Sequence, residues 1–438
     1  MQFRMRTVAF PFFRILQLVR RLAYLFTITL LILMIALLAV LWTARTAVRP
    51  APGDWATTLR AGPLSIEVGV AALIQWGTTP WIAQQMHGRT LPTRMGAVHV
   101  SWDASQEMLS LHCQPCTLRS SSWGGEPLHL HGATMTVNRQ GGALRGTLSS
   151  GAVSAHWTGT LRRNGLGLHI DLPPTPLRDG YALFADAIPE LASAQIDGTF
   201  SLRATLELPS KALTITPRLE GLAVQGLGTE DWAQAQSQCS QGLSESAASV
   251  AITTHGLLAR AVVAAEDQRF FEHPGYDLQE MTQALHSNQQ AKARLRGAST
   301  LTQQVAKLLV TGDERSPVRK LRELLYALEM ERTLGKARIL HLYLEHAPWG
   351  AGICGARSAA QAYFGKPIDK ITLPQAVWLA AMLHNPRLEA QHWRANGHIN
   401  RERAQWVAAN LRPMRPDRRT QLRLALSHAE WQLPSTVR

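Results

Sequence analysis

Cysteine is scarce in this chain, with four residues in 438: Cys113, Cys116, Cys239 and Cys354. That is too few for a disulfide scaffold, and a zinc site would want a second C-x-x-C pair, which Cys239 and Cys354 do not make because each stands alone. The one pair, "CQPC" at 113–116, suits a bridge in an oxidising compartment; a redox C-x-x-C would be expected beside a βαβ pattern, which the sequence lacks. No internal repeat of fixed period is present. Acidic residues are also short, 31 Asp+Glu against 45 Lys+Arg, which leaves a net charge of +14. The imbalance implies an anionic partner, either nucleic acid, acidic lipid or a phosphorylated substrate. Nucleic acid is the weakest of these, since no stacking-aromatic or groove-helix motif accompanies the basic charge.

Charge is missing altogether from 22–44, "LAYLFTITLLILMIALLAVLWTA", 23 positions without an ionisable side chain. At about 1.5 Å rise per residue this run crosses a hydrocarbon core of ~30 Å, so it reads as a single transmembrane helix. Arg4, Arg6, Arg14, Arg20 and Arg21 precede it, and Arg45, Arg49 and Arg60 follow. The bias sets residues 1–21 in the cytoplasm and the bulk of the chain outside it. The expected location is a membrane crossed once.

Past the span there is length for about two domains with real cores. From about 62 to 228 short alternations recur: "AVHVSW", "MLSLHC", "LHLHGATMTV", "ALRGTLSS", "AVSAHWTGTL", "LGLHIDL", "GTFSLRATLEL" and "ALTITPRLEGL". Period-2 apolar patterning bounded by Gly, Asn-Arg or Pro reads as a series of strands. Histidines 99, 112, 129, 131, 156 and 169 fall inside the alternations at spacings that fix no metal geometry, so they read as strand-face residues. Beyond 228 the composition turns helical. The expected architecture is α+β multidomain: the membrane helix, a β-rich accessory region over 45–235, a mostly α-helical domain over 236–390 and a solvated basic tail over 391–438.

The helical half carries four stretches with chemistry in them. "VAAEDQRFFEHPGYD" at 263–277 sets Glu266 and Asp267 side by side at the end of an apolar helix that begins near Leu257. "GASTLTQQVAKLLV" at 297–310 lines up Ser299, Thr300, Thr302, Gln303, Gln304 and Lys307, an array of hydroxyls, amides and an ammonium suited to sugar and phosphate oxygens; Ser-Thr before Gln-Gln also reads as an N-cap. In "VRKLRELLYALEMER" at 318–332, Val318, Leu321, Leu325 and Leu328 form a buried stripe. Arg319 and Lys320 lie four and three residues before Glu323, which is either an exposed ion-pair cluster or a carboxylate held among cations beside something anionic. In "ILHLYLEHAPWGAGICGARSAAQAYFGK" at 339–366, a helix ends near Pro348 and Gly350, Gly352 and Gly355 permit a tight corner.

Taken in order, "EDQRFFEHPGYD", "GASTLTQQVAK", "RKLRE" and the 339–366 stretch closely resemble the glycosyltransferase domain of bacterial peptidoglycan polymerases, found in monofunctional transglycosylases and class A penicillin-binding proteins. The resemblance spans about 245–390. It implies a lysozyme-like helical fold with an apolar jaw at roughly 278–296, and polymerisation of lipid II into β-1,4-linked glycan strands by an inverting mechanism that releases undecaprenyl pyrophosphate. Carried over by motif, Glu266 is the general base and Glu323 the second catalytic carboxylate. Asp267, Phe270, His273, Ser299, Thr300, Gln303, Gln304, Lys307, Arg319 and Lys320 form the substrate-binding set. The resemblance also implies a divalent cation, Mg2+ or Mn2+, sharing the pyrophosphate charge, no organic cofactor, and lipid-linked glycan, the membrane and cell-wall synthesis or division proteins as partners. Glu266 at a helix C-terminus beside Asp267 should hold its proton more tightly than a free glutamate. No Ser-x-x-Lys follows residue 390, so a transpeptidase is not expected.

Leu308, His341 and Glu345 depart from the pattern, which has Asn, Glu and Asn at those places; the changes bear on substrate contacts and turnover and leave both carboxylates in place. Two other readings compete: a lysozyme-like hydrolase or lytic transglycosylase, which also uses a glutamate on a helical scaffold, and an envelope scaffold whose helical half has lost activity.

Overall fold

The computed structural model describes residues 24, 26–39, 54–61, 64–93, 95–118, 127–234, 250–290, 297–314, 316–350 and 352–432. Of the apolar run at 22–44, residues 26–39 form a helix (α1) whose side chains are all exposed; apart from Tyr24, the rest of the run lies outside the described residues, as do 1–21 and Cys239. Among the described residues no helix is long and apolar enough to cross a membrane.

A hairpin of β1 (Ala56–Ala61) and β2 (Leu64–Gly69) leads into two short helices, α2 (Val70–Gly77) and α3 (Pro80–Met86). Then comes β3 (Thr90–Thr93), β4 (Gly96–Asp103) and β5 (Met108–Cys113), a side hairpin of β6 (Cys116–Leu118) and β7 (Leu128–Leu130), and β8 (Ala133–Gln140), β9 (Ala143–Ser150), β10 (Val153–Arg162) and β11 (Gly165–Pro176). After α4 (Leu177–Ala182), the long pair β12 (Gln195–Leu208) and β13 (Ala212–Gln225) completes the region. Nine of these strands make one antiparallel sheet in the order β13-β12-β11-β10-β9-β8-β5-β4-β3, and the alternations quoted above fall on strands, except that "LHLHGATMTV" spans β7 and β8 with His131 in the bend between them rather than on a strand face. In β10 the period is visible directly: Ala155, Trp157 and Leu161 are buried while His156, Thr158 and Thr160 face solvent. Trp157 and Leu161 pack with Val100, Leu109 and Leu144 under Ala71 of α2 and Ala83 of α3. Cys113 and Cys116 are joined as a disulfide, and Cys354, which the sequence leaves alone, is also disulfide-bonded.

The rest of the chain is helical: α5 (Leu257–Glu266), α6 (Leu278–Gln290), α7 (Leu301–Ala306), α8 (Pro317–Thr333) and α9 (Gly335–His346), followed by a small hairpin of β14 (Pro348–Gly350) and β15 (Ile353–Cys354). Next are α10 (Ala356–Phe364), α11 (Leu373–Met382), α12 (Pro386–Asn396), α13 (Arg401–Asn410) and α14 (Pro416–Ser427). Residues 391–432 are not a solvated tail. Trp393, Ile399, Ala404, Val407, Ala408 and Leu411 are fully buried in the same apolar cluster as α5 and α11, and the Trp393 indole, stacked on Tyr363, donates to the Trp431 carbonyl at 2.7 Å. The arginines of this segment set its composition; its small and aliphatic residues, at helical spacing, set its fold.

The β-rich region is not independent of the helical one either. Leu325 and Leu328 of α8, from the stripe legible in the sequence, are buried against Leu177, Tyr181, Ile188 and Val224 of the β-rich region. Tyr181 donates to the Leu321 carbonyl at 3.0 Å, Arg322 forms a two-pronged pair with Glu190, and the fully buried Glu329 carboxylate accepts from Leu227 N at 2.8 Å and Thr229 N at 3.2 Å. A chain starting near residue 240 would bare that stripe and leave Glu329 without those two donors, so the boundary at 228–245 separates compositions rather than self-sufficient folding units.

Candidate active site

Helix α5 delivers the two acids to one cleft but to different partners. Leu258, Ala261, Val262 and Ala265 are buried in the core, so the helix is held firmly up to its last residue, Glu266, after which Asp267 leaves the helical conformation. Asp267 turns inward. Its carboxylate accepts from Leu301 N at 2.8 Å and from His273 Nε2 at 3.0 Å, while His273 Nδ1 accepts from Gly275 N at 3.2 Å. One ring nitrogen of His273 thus accepts and the other donates, which fixes the neutral Nε2–H tautomer. Phe270 is fully buried with the Lys336 ammonium 4.5 Å from its ring centroid. Of the residues expected to bind substrate, Asp267 ties the end of α5 to the start of α7 while also lining the cleft, His273 supports it, and Phe270 packs in the core.

Thr300 and Gln303 are also structural in their contacts. They close a capping box at the N-terminus of α7, and Thr300 Oγ1 donates to the Gly275 carbonyl at 2.7 Å. Gln304 comes next and points the other way: its Nε2 donates to Glu266 Oε2 at 3.2 Å and its Oε1 accepts from the Tyr343 hydroxyl at 3.2 Å, which fixes the orientation of the amide.

Glu266 opens on a cleft of about 620 Å³ whose lining includes Ser299, Gln304, His384, Asn400, Arg403 and Trp406. The last three come from beyond residue 390, where only a tail was expected. Arg403 donates to the Ala265 carbonyl at 2.6 Å, sits 3.6 Å from Glu266 Oε1 and lies 4.3 Å over the Trp406 ring. Their helical spacing in "NRERAQWVAANL" was the available signal, because Ala404, Val407, Ala408 and Leu411 mark one buried stripe and Arg403 and Trp406 share another face. Burial pushes the Glu266 carboxyl above the ordinary glutamate range. Arg403 is the main opposing influence, followed by Gln304 and His384, and Asp267 adds only the smallest upward push. The expected direction holds for a different main cause. Glu266 Oε1 is buried and accepts no hydrogen bond from the described residues.

Glu323, on α8, is fully buried and holds two cations: Arg319 on Oε1, and Lys320 on Oε2 at 2.6 Å. The Lys320 ammonium also donates to Ser299 Oγ, so the cluster reaches the cleft wall; burial lowers its pKa and Glu323 partly restores it. Lys307 does not join this cluster. It begins a π-helical turn, Lys307–Thr311, and pairs with Asp313 at 2.6 Å, while the neighbouring Leu308 packs on the core. The other two departures pair with each other: His341 Nε2 lies 3.2 Å from Glu345, which Arg338 and Arg357 also approach, and none of the four lines the cleft. Of the expected jaw, 278–290 is described and lies largely in α6, and 291–296 lies outside the described residues. No group of three His, Cys, Asp or Glu side chains among the described residues converges as a metal site.

A carboxyl with a raised pKa, oriented by an amide and a guanidinium in a polar cleft whose Ser299 wall is tied to the Lys320–Glu323 ion pair, has the chemistry of a proton acceptor. Residues 242–412 match the family described as Transglycosylase, a match that extends past 390 to take in α12 and α13. The chain is 44% identical over 155 residues to the biosynthetic peptidoglycan transglycosylase of Salmonella newport, covering 35% of this chain and 63% of that protein. It is 46% identical over 147 residues to the protein of the same name from Escherichia coli O127:H6, covering 34% of this chain and 60% of that protein. The chain thus spans a little under two thirds of the length of these relatives. Residues 242–412 are thus similar to peptidoglycan transglycosylases, and the β-rich region lies outside the match.

Proposed function

We propose that the chain is a membrane-anchored glycosyltransferase that polymerises lipid II into β-1,4-linked glycan. Glu266 Oε1 takes the proton of the 4-hydroxyl on an acceptor GlcNAc. The freed oxygen attacks C1 of the donor MurNAc, the C1–oxygen bond to the pyrophosphate breaks, and undecaprenyl pyrophosphate departs with the electron pair. Attack opposite the leaving group converts the α-linked donor to a β product. Gln304 and Arg403 hold the carboxylate at the attack position. Lys320, bridging Ser299 and Glu323, offers fixed positive charge to the pyrophosphate, and Glu323 positions Lys320 and Arg319 while its own oxygens stay engaged.

The observation that carries this reading is the Glu266 oxygen that accepts no hydrogen bond from the described residues, buried on a cleft in a region that matches the Transglycosylase family. The apolar run at 22–44 serves as the anchor, with the cleft outside the cytoplasm, where lipid-linked substrates stay in reach. Purified full-length protein incubated with labelled lipid II is expected to yield glycan polymer, and Glu266→Gln to cut the rate by about 10²–10⁴-fold, the usual cost of losing a general base. Cleavage of preformed glycan without polymer, or a Glu266→Gln variant retaining more than about a third of the rate, would overturn the reading.

A further inference from the structure

Trp406 has no part in the proton transfer, yet it is the one large apolar side chain among the described residues lining the cleft. Around it the lining is polar, with Ser299, Gln304, Asn400 and His384 among its members. Trp406 is 41% exposed, although the preceding turn of α13 is anchored in the core through Ala404. The Arg403 guanidinium lies over the ring, and the same guanidinium is pinned to the Ala265 carbonyl and stands beside Glu266. The indole is therefore held in register with the carboxylate.

An aliphatic lipid tail would want a strip of apolar side chains, and this cleft has none among its described lining residues. A single fixed aromatic among hydroxyls, amides and charges suits a pyranose, whose C–H face carries partial positive charge toward the negative face of the ring and whose hydroxyls reach polar neighbours. The side of the cleft follows from Arg403: it touches the group that receives the acceptor's proton, whereas the Lys320 cluster meets the wall at Ser299.

We infer that Trp406 is a stacking platform for the acceptor sugar, placed by Arg403 relative to Glu266. The identity of the sugar as an acceptor rests on the proposed polymerase reading; the stacking does not.

The test uses full-length protein in detergent and a soluble β-1,4-linked GlcNAc tetrasaccharide as probe, with Trp406→Leu, Trp406→Gln and Trp406→Phe compared with wild type. Both non-aromatic variants are expected to weaken tetrasaccharide binding at least about fivefold, in the range typical of truncating a binding tryptophan, with Phe recovering most of the loss. Lipid II turnover should show a raised KM with a smaller change in kcat, since the contact is made before and during transfer alike. Wild-type affinity in both non-aromatic variants with melts unchanged, a Phe variant as weak as Leu, or no tetrasaccharide binding by the wild type would each overturn the platform. Normal binding loss in a protein that makes no polymer would leave the platform standing and sink the polymerase reading; polymerisation with an unchanged KM in the Leu variant would do the reverse.

Discussion

Arg403→Gln should move the acidic limb of the pH–rate profile toward alkaline pH. Glu266 must be ionised to act as a base, and burial already raises its pKa above the ordinary glutamate value, with Arg403 as the leading counterweight. The guanidinium stands 3.6 Å from Oε1. At about 4 Å a unit charge pair is worth ~1 kcal/mol in water and ~4 kcal/mol at an effective dielectric of about 20. Losing the cation therefore removes the leading influence that lowers the Glu266 pKa, and the limb moves toward alkaline pH. Arg403→Lys, which keeps the charge, should recover most of that shift. The stability sign is the one for a raised carboxyl: the contribution is complete below the unfolded pKa of about 4.3 and is lost as pH rises through the folded value, so Arg403→Gln should also lower stability near neutrality. The assay is kcat/KM for lipid II from about pH 5 to 9, which reports the free enzyme's base. Superimposable limbs for wild type and Arg403→Gln would refute the assignment of Arg403 as the group that keeps Glu266 ionised.

Two further outcomes are expected. Lys320→Met and Glu323→Gln should each lower kcat/KM, with the double variant losing less than the two losses combined, because both act through one ion cluster; a coupling of about 0.5–3 kcal/mol in a double-mutant cycle is the expected size, and simple additivity would separate them. Glu329→Gln keeps the side chain's volume but turns an amide donor toward one of the two backbone donors at Leu227 and Thr229, at a cost of about 1–3 kcal/mol. At ~2–4 °C per kcal/mol for units of this size the melting midpoint should fall by several degrees, and an unchanged melt would show that the junction contributes little to stability.

Local pattern was enough to identify the strands, because in a sheet with one covered face each residue's side is dictated by its parity, and β10 keeps that alternation from Ala155 to Leu161. It also sufficed for the end of α5, for the N-cap at Thr300 and for the i, i+3 and i, i+4 grouping of Lys320, Arg319 and Glu323, since each depends on residues within one or two helical turns. How two adjacent acids that both line the cleft are partnered depended on the tertiary fold: Asp267 is claimed by Leu301 N and His273, and Glu266 is left to Gln304 and Arg403. The stripe on α8 was visible as apolar, but only the fold brings it against Leu177, Tyr181 and Val224 of the β-rich region. Net charge is a sum over residues and is blind to direction, so the arginine-rich end looked solvated; tertiary packing buries Trp393, Val407 and Leu411 beneath it and turns Arg403 and Trp406 into the cleft.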